Sequence, residues 1–155
     1  MTYEKSCGAV VFRRERISRK KEKAYVLIIK HVGSGHGSFP KGHMESGESE
    51  KMTAVREVFE ETNVSININE SFRCSVRYNP RPGTEKEVVY FLAFTKQNET
   101  KPRPGEIAYA EWVGIEEAEN CLYHDNDKAV LREALNYIKE NNRFNKVINF
   151  SARKR

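Results

Sequence analysis

Gly42–Val64, GHMESGESEKMTAVREVFEETNV, is the stretch on which the reading of this chain turns. Five residues separate Gly42 from Glu48, and seven more separate Glu48 from Arg56-Glu57-Val58-Phe59-Glu60-Glu61. From about Ser49 to Thr62 there is no glycine or proline and good helix formers dominate, so the spacing predicts a helix there. At about 100° per residue, Met52, Val55, Val58 and Phe59 fall in one arc of roughly 120°, the face expected to pack. Glu57, Glu60 and Glu61 share another arc, with Glu50 beside them. Glutamates three and four residues apart repel, and no lysine sits among them. At 4 Å and an effective dielectric of 20, one like-charge pair costs about 4 kcal/mol. Two readings answer that cost: a solvated acidic face, or a hard divalent cation held by carboxylate oxygens.

The frame resembles the Nudix box, Gly-x5-Glu-x7-Arg-Glu-aliphatic-x-Glu-Glu-x-Gly-aliphatic, at every fixed position but one. Asn63 stands where that family has glycine. The position is a helix C-cap in the left-handed region, where asparagine is the next best residue. The resemblance covers nearly the whole chain and implies an α/β Nudix fold, a mixed β-sheet sandwiched between helices (an α/β/α sandwich), in a single domain over residues 1–155. It also implies Mg²⁺, or Mn²⁺, bridging substrate phosphate oxygens while water attacks phosphorus. Carried over position by position, Glu57 and Glu61 are implied as primary metal ligands, with Glu60 beside them and the Gly42 carbonyl as a further oxygen. The same box makes Arg56 and Glu48 part of the catalytic set, where an ion pair fixing loop and helix suits them better than substrate contact. The general base differs among members, which leaves Glu57 or a carboxylate outside the box.

Glu106 is the favoured outside carboxylate. It lies six residues before Trp112 in PGEIAYAEW, similar to the Nudix branch that cleaves diadenosine tetraphosphate asymmetrically, where such a Glu joins the metal site. Taken alone, Glu106 reads as a residue of a polar loop. Phe39-Pro40-Lys41-Gly42-His43 resembles that branch's approach to the box, and His36 stands five residues before Lys41 as a phosphate-contacting His does there. The branch usually has Trp after that His, whereas Gly37 follows here. Lys86 and Tyr90 resemble its Lys-x-x-x-Tyr, with Tyr78 a partner on the adjoining strand. The resemblance thus implies phosphate contacts from His36, Lys41 and Lys86 and adenine stacking on Tyr90 or Tyr78. Each tyrosine alone reads as a half-buried strand residue. Tyr123 and His124 lie where another aromatic contact would come. The implied activity is hydrolysis of a small nucleotide, diadenosine tetraphosphate to ATP and AMP. Other nucleoside-diphosphate links, an RNA 5′ end, and a non-catalytic nucleotide-sensing or RNA-binding module are the alternatives.

The remaining sequence is consistent with such a protein. Charged residues make up 32% and hydrophobic ones 38% of 155 residues, the balance of a soluble globular chain with a sizeable core. No apolar run approaches the ~20 residues of a membrane span and no signal-peptide pattern opens the chain, so a cytoplasmic protein is expected. Cys7, Cys74 and Cys121 lack metal-ligand spacing, which suits reduced thiols. A net charge of +5 favours anionic ligands. Strands are expected at Ser6–Phe12, Tyr25–Lys30, Val64–Ile68, Phe72–Tyr78, Glu87–Phe94 and Ile107–Val113. The basic run Arg13–Lys23 reads as a solvated hairpin loop or a phosphate- or RNA-contacting arm. Helices are expected at Ile115–Cys121 and Asp125–Asn141, the second with an apolar stripe of Val130, Leu131, Ala134, Leu135 and Ile138. A basic tail, Asn142–Arg155, closes the chain without clear periodicity.

Overall fold

The computed structural model describes residues 1–141, apart from the side chain of Glu70; the basic tail lies outside the described residues. Strands β1 (Thr2–Arg16), β2 (Glu22–His31), β3 (Gly37–Ser38) and β4 (Lys41–His43) precede helix α1 (Glu50–Thr62). Strands β5 (Asn67–Arg81), β6 (Thr84–Phe94) and β7 (Ile107–Gly114) follow, then helices α2 (Ile115–Cys121) and α3 (Asp125–Glu140). All seven strands join one mixed sheet, ordered β3-β2-β1-β6-β5, with β4 also on β1 and β7 also on β2. The β1–β6 pair is parallel and runs from Thr2↔Thr84 to Phe12↔Phe94.

The two faces of the sheet follow from strand alternation. Val10 and Phe12 of β1, Val26 and Ile28 of β2, and Val88, Tyr90 and Leu92 of β6 pack with Val130, Leu131, Ala134 and Ile138 of α3. Ala9, Val11, Leu27 and Ile29 turn the other way, onto Val58 of α1 and Val64. The middle of β2 is buried on both faces, as its apolar run predicts. Helices therefore cover both faces, the expected α/β/α sandwich. No helix among the described residues is long and apolar enough to cross a membrane.

Several local expectations need correction. The hairpin of β1 and β2 extends through most of Arg13–Lys23, with pairing from Phe12↔Val26 out to Arg16↔Glu22, so only its tip is a turn. Backbone hydrogen bonding carried the strands further than side-chain polarity suggested. β5 begins at Asn67, not Val64, and runs to Arg81 with register shifts between Asn69 and Arg73 and near its end. The packing face of α1 is also rotated. Met52 is 56% and Phe59 47% exposed, while Thr53, Ala54, Val58, Glu61 and Thr62 are buried. The apolar arc and the inward arc overlap at Val58, with Val55 partly buried beside it, because α1 also turns Glu57 and Glu61 toward β4.

β1 and β2 pair closely only near their hairpin. Farther from it, residues 37–43 occupy the gap: Gly37–Ser38 pairs with Lys30 and Ile29 of β2, and Lys41–His43 pairs with Gly8, Cys7 and Ser6 of β1. Phe39 and Pro40 cross the split, with Phe39 fully buried and Ala9 N–H donating to the Pro40 carbonyl at 3.4 Å. This split delivers Lys41 and Gly42 to α1.

Candidate active site

The box helix is well terminated. Ser49 accepts a hydrogen bond from Met52 N–H at its amino end, and Asn63 at its carboxyl end has φ 63°, the left-handed cap expected there. The last carbonyls of α1 find donors in the loop after β6. Lys101 N–H donates to Thr62 O at 2.9 Å, Arg103 N–H to Glu61 O at 3.2 Å, and Gln97 Nε2 to Asn63 O at 2.8 Å. That loop leads to Glu106, whose approach to the box is thus set by the capping of α1.

Glu57 and Glu61, one helical turn apart, meet consecutive residues of β4. Glu61 Oε1 accepts from Lys41 N–H at 3.0 Å. The Glu57 carboxyl lies so close to the Gly42 backbone that a Cβ at residue 42 would collide with it. A side chain at residue 42 would displace that carboxyl, so the glycine serves close approach rather than an unusual φ. Arg56 ties the preceding loop to the helix: Nε donates to Glu48 Oε2 at 2.6 Å, one terminal nitrogen to the His43 carbonyl at 3.0 Å, and the other to Glu57 at 2.9 Å and Glu60 at 3.2 Å. Glu48 also accepts from Glu45 N–H and Thr53 Oγ1. The Arg56 guanidinium, helped by those bonds, holds the Glu48 carboxyl down at about 2.

The inner carboxylates behave in the opposite sense. Burial pushes Glu61 up to about 8, with the nearby charges of Glu57 and Glu106 adding to the rise against the Lys41 N–H bond. Burial also raises Glu57, opposed by Arg56. Glu106 therefore stands within electrostatic reach of both, although it is exposed and paired with Arg103 at 3.4 Å. Arg103 also reaches Glu60 at 3.2 Å, a contact that no local spacing signals. Among the described residues, no three carboxylate, imidazole or thiol groups already stand in coordinating geometry. The expected ligand set of Glu57, Glu60, Glu61 and Glu106 with Gly42 is therefore gathered but not preassembled, since Arg56 and Arg103 engage Glu57, Glu60 and Glu106. The donors still fit a hard divalent cation. They are oxygens, the bare Gly42 backbone lets the Glu57 carboxyl approach, and among the described residues buried Glu61 has only an N–H as hydrogen-bond partner.

Beside this cradle opens a cavity of about 240 Å³ lined by His31, His36, Lys41, Tyr78, Tyr90 and Asp127, among others. Lys41 joins the two regions, its N–H on Glu61 and its residue on the cavity wall. His36 stacks on Tyr123 with ring centroids 3.4 Å apart and planes 7° from parallel. His124 meets both rings edge-on, which brings together the aromatic residues expected near the site. Lys86 lies opposite Tyr78 across β5 and β6; burial and then Lys41 push its ammonium pKa down. Tyr90 does not supply the open stacking face expected of it. Its ring is fully buried, edge-on to Phe39, and its hydroxyl donates to Asp127 Oδ1 at 3.1 Å. Tyr78 is 37% exposed and keeps an accessible ring. His31 and Asp127 escaped the sequence reading, because β2 and the start of α3 meet here only through the sheet.

A NUDIX domain matches residues 3–135. The chain belongs to the NUDIX family, and is a Nudix hydrolase. It is 32% identical over 142 residues to the asymmetrical bis(5′-nucleosyl)-tetraphosphatase of Sus scrofa, covering 86% of this chain and 95% of that protein. The Mus musculus protein of the same name is 31% identical over 140 residues, with the same coverage. A Caenorhabditis elegans Ap4A hydrolase solved as a binary complex superposes with a TM-score of 0.77 at 24% identity, covering 89% of this chain and 99% of that one. The structure also explains a departure from the tetraphosphatase pattern. A Cβ at Gly37 would collide with the Cys121 carbonyl, and Tyr123 N–H donates to Gly37 O at 3.0 Å. This Nudix chain has closed α2 onto the place where a tryptophan side chain would start.

Proposed function

We propose that this Nudix hydrolase cleaves diadenosine tetraphosphate to ATP and AMP with Mg²⁺ or Mn²⁺. One observation carries the reading: a cavity with an exposed tyrosine and basic residues adjoins the paired carboxylates through a shared residue, Lys41. Its similarity to asymmetrical tetraphosphatases along most of both chains supports the same substrate. Glu57, Glu60 and Glu61, with the Gly42 carbonyl and Glu106, would hold the cation. Bound there, it would neutralise phosphate charge and polarise the P–O bond.

The chain's own residues supply position and proton handling. Lys41, Lys86 and His36 bind the polyphosphate, and half-burial of Lys86 strengthens its interaction with an incoming anion. Tyr78 stacks on an adenine at about 1–3 kcal/mol, by analogy with single-stranded nucleic acid. Arg56 orients Glu57, and the raised Glu57 carboxylate accepts the proton of the attacking water. The test is kcat/KM for diadenosine tetraphosphate against ADP-ribose and triphosphorylated RNA, with ¹⁸O-labelled water to locate attack. Preference for the dinucleotide and label in a single product are expected; preference for ADP-ribose or RNA would overturn the substrate assignment.

A further inference from the structure

The cavity also holds a buried acid that phosphate binding leaves unused. Asp127, in the first turn of α3, is only 5% exposed, yet it lines the cavity beside Asn126 and His124. Its Oδ1 accepts the Tyr90 hydroxyl, and no lysine or arginine among the described residues comes within ion-pair distance of it, Lys41 and His124 acting on it only from farther off. Burying a carboxylate without a cation in direct contact is costly, and one tyrosine hydroxyl uses only one of its roughly four acceptor positions. The amino end of α3 offsets part of that cost. Val76, Val88 and Tyr78 supply apolar surface to the same cavity. A flat heterocycle against those residues would bring its polar edge toward a group that, when ionised, only accepts hydrogen bonds.

We propose that Asp127 determines base specificity, accepting an N–H from the exocyclic amine of a purine such as adenine. The inference rests on the nucleotide reading of the cavity. Asp127 lies outside the box and acts on affinity, not on the reacting phosphorus. A purine without the amine would desolvate the carboxylate and return no hydrogen bond, so discrimination of about tenfold or more is expected.

Calorimetric titration with AMP and with purine riboside 5′-monophosphate tests this, since neither carries an anhydride that could be turned over. The unaltered chain should bind AMP about tenfold or more tightly over the analogue. Asp127→Ala should bring that ratio near one through loss of AMP affinity alone, leaving the analogue within about twofold. The double variant Tyr90→Phe/Asp127→Ala, which leaves no orphaned hydroxyl, should do the same. Tyr90→Phe by itself should keep the preference. No preference in the unaltered chain, equal weakening of both ligands by Asp127→Ala, or loss of preference in Tyr90→Phe would each overturn the proposal. Binding is read without turnover. A chain that discriminates the two monophosphates but leaves diadenosine tetraphosphate intact would retain this inference and lose the substrate assignment.

Discussion

Glu61 is a buried carboxylate beside another glutamate, held among the described residues by a single backbone N–H. Its folded pKa of about 8 lies above the ordinary 4.5, so between these values the folded chain keeps a proton that the unfolded chain has released. Raising pH across that window therefore favours unfolding, by up to about 1.4 kcal/mol per pH unit. Metal-free protein should melt at progressively lower temperature from about pH 4.5 to 8, and saturating Mg²⁺ should flatten the slope and release protons. Thermal melts with and without chelator, and proton release by calorimetry, check this; a metal-free melting temperature that rises across the window would contradict it. Removing one charge separates chemistry from scaffold. Glu57→Gln or Glu61→Gln should lower kcat by several decades, while Glu61→Gln melts at or above the unaltered temperature at pH 8 without metal. Near-normal turnover in Glu57→Gln would remove it from the site.

α1 is the element on which these residues depend, and both its ends are specified. Ser49 and Asn63 cap it, and the loop through Gln97, Lys101 and Arg103 satisfies its last carbonyls. At φ 63°, Asn63 tolerates a backbone region that costs most L-residues about 1–2 kcal/mol. Asn63→Gly should be neutral to slightly stabilising, whereas Asn63→Ala should cost about 1 kcal/mol. Denaturant unfolding measures both. If alanine matched glycine, the left-handed cap would not be what closes the helix. Because the same loop runs on to Glu106, Asn63→Ala should also lower kcat modestly.

At the scale of the whole molecule, the site exists because the central sheet splits. β1 pairs with β2 near the hairpin and with β4 farther away, and Phe39–Pro40 crosses between them. Gly8 makes that crossing feasible, since a Cβ there would strike the Pro40 carbonyl and Lys41. The obstacle is mostly backbone, so it cannot rotate aside. Gly8→Ala should destabilise the fold by roughly 1–3 kcal/mol, as overpacking does, and should depress activity by displacing Lys41 and Gly42 from α1. A variant with unchanged melting temperature and turnover would show that the split tolerates movement.

Local rules in the sequence determined the helix, its left-handed carboxyl-terminal cap and the frame of box residues, because capping and helical spacing act over three to seven residues. They also determined the doubly buried β2 and the apolar stripe of α3, where side-chain period alone decides which face is inward. Tertiary structure decided which arc of α1 faces the protein. Apolarity nominated Met52 and Phe59, but the Lys41 N–H and the bare Gly42 backbone drew Glu61 and Glu57 inward instead. It likewise sank Tyr90 beneath the cavity and brought Asp127, thirty-seven residues away, to its hydroxyl. Such contacts depend on strand order and on the split between β1 and β2, which arise from pairing between distant segments. No local period encodes them.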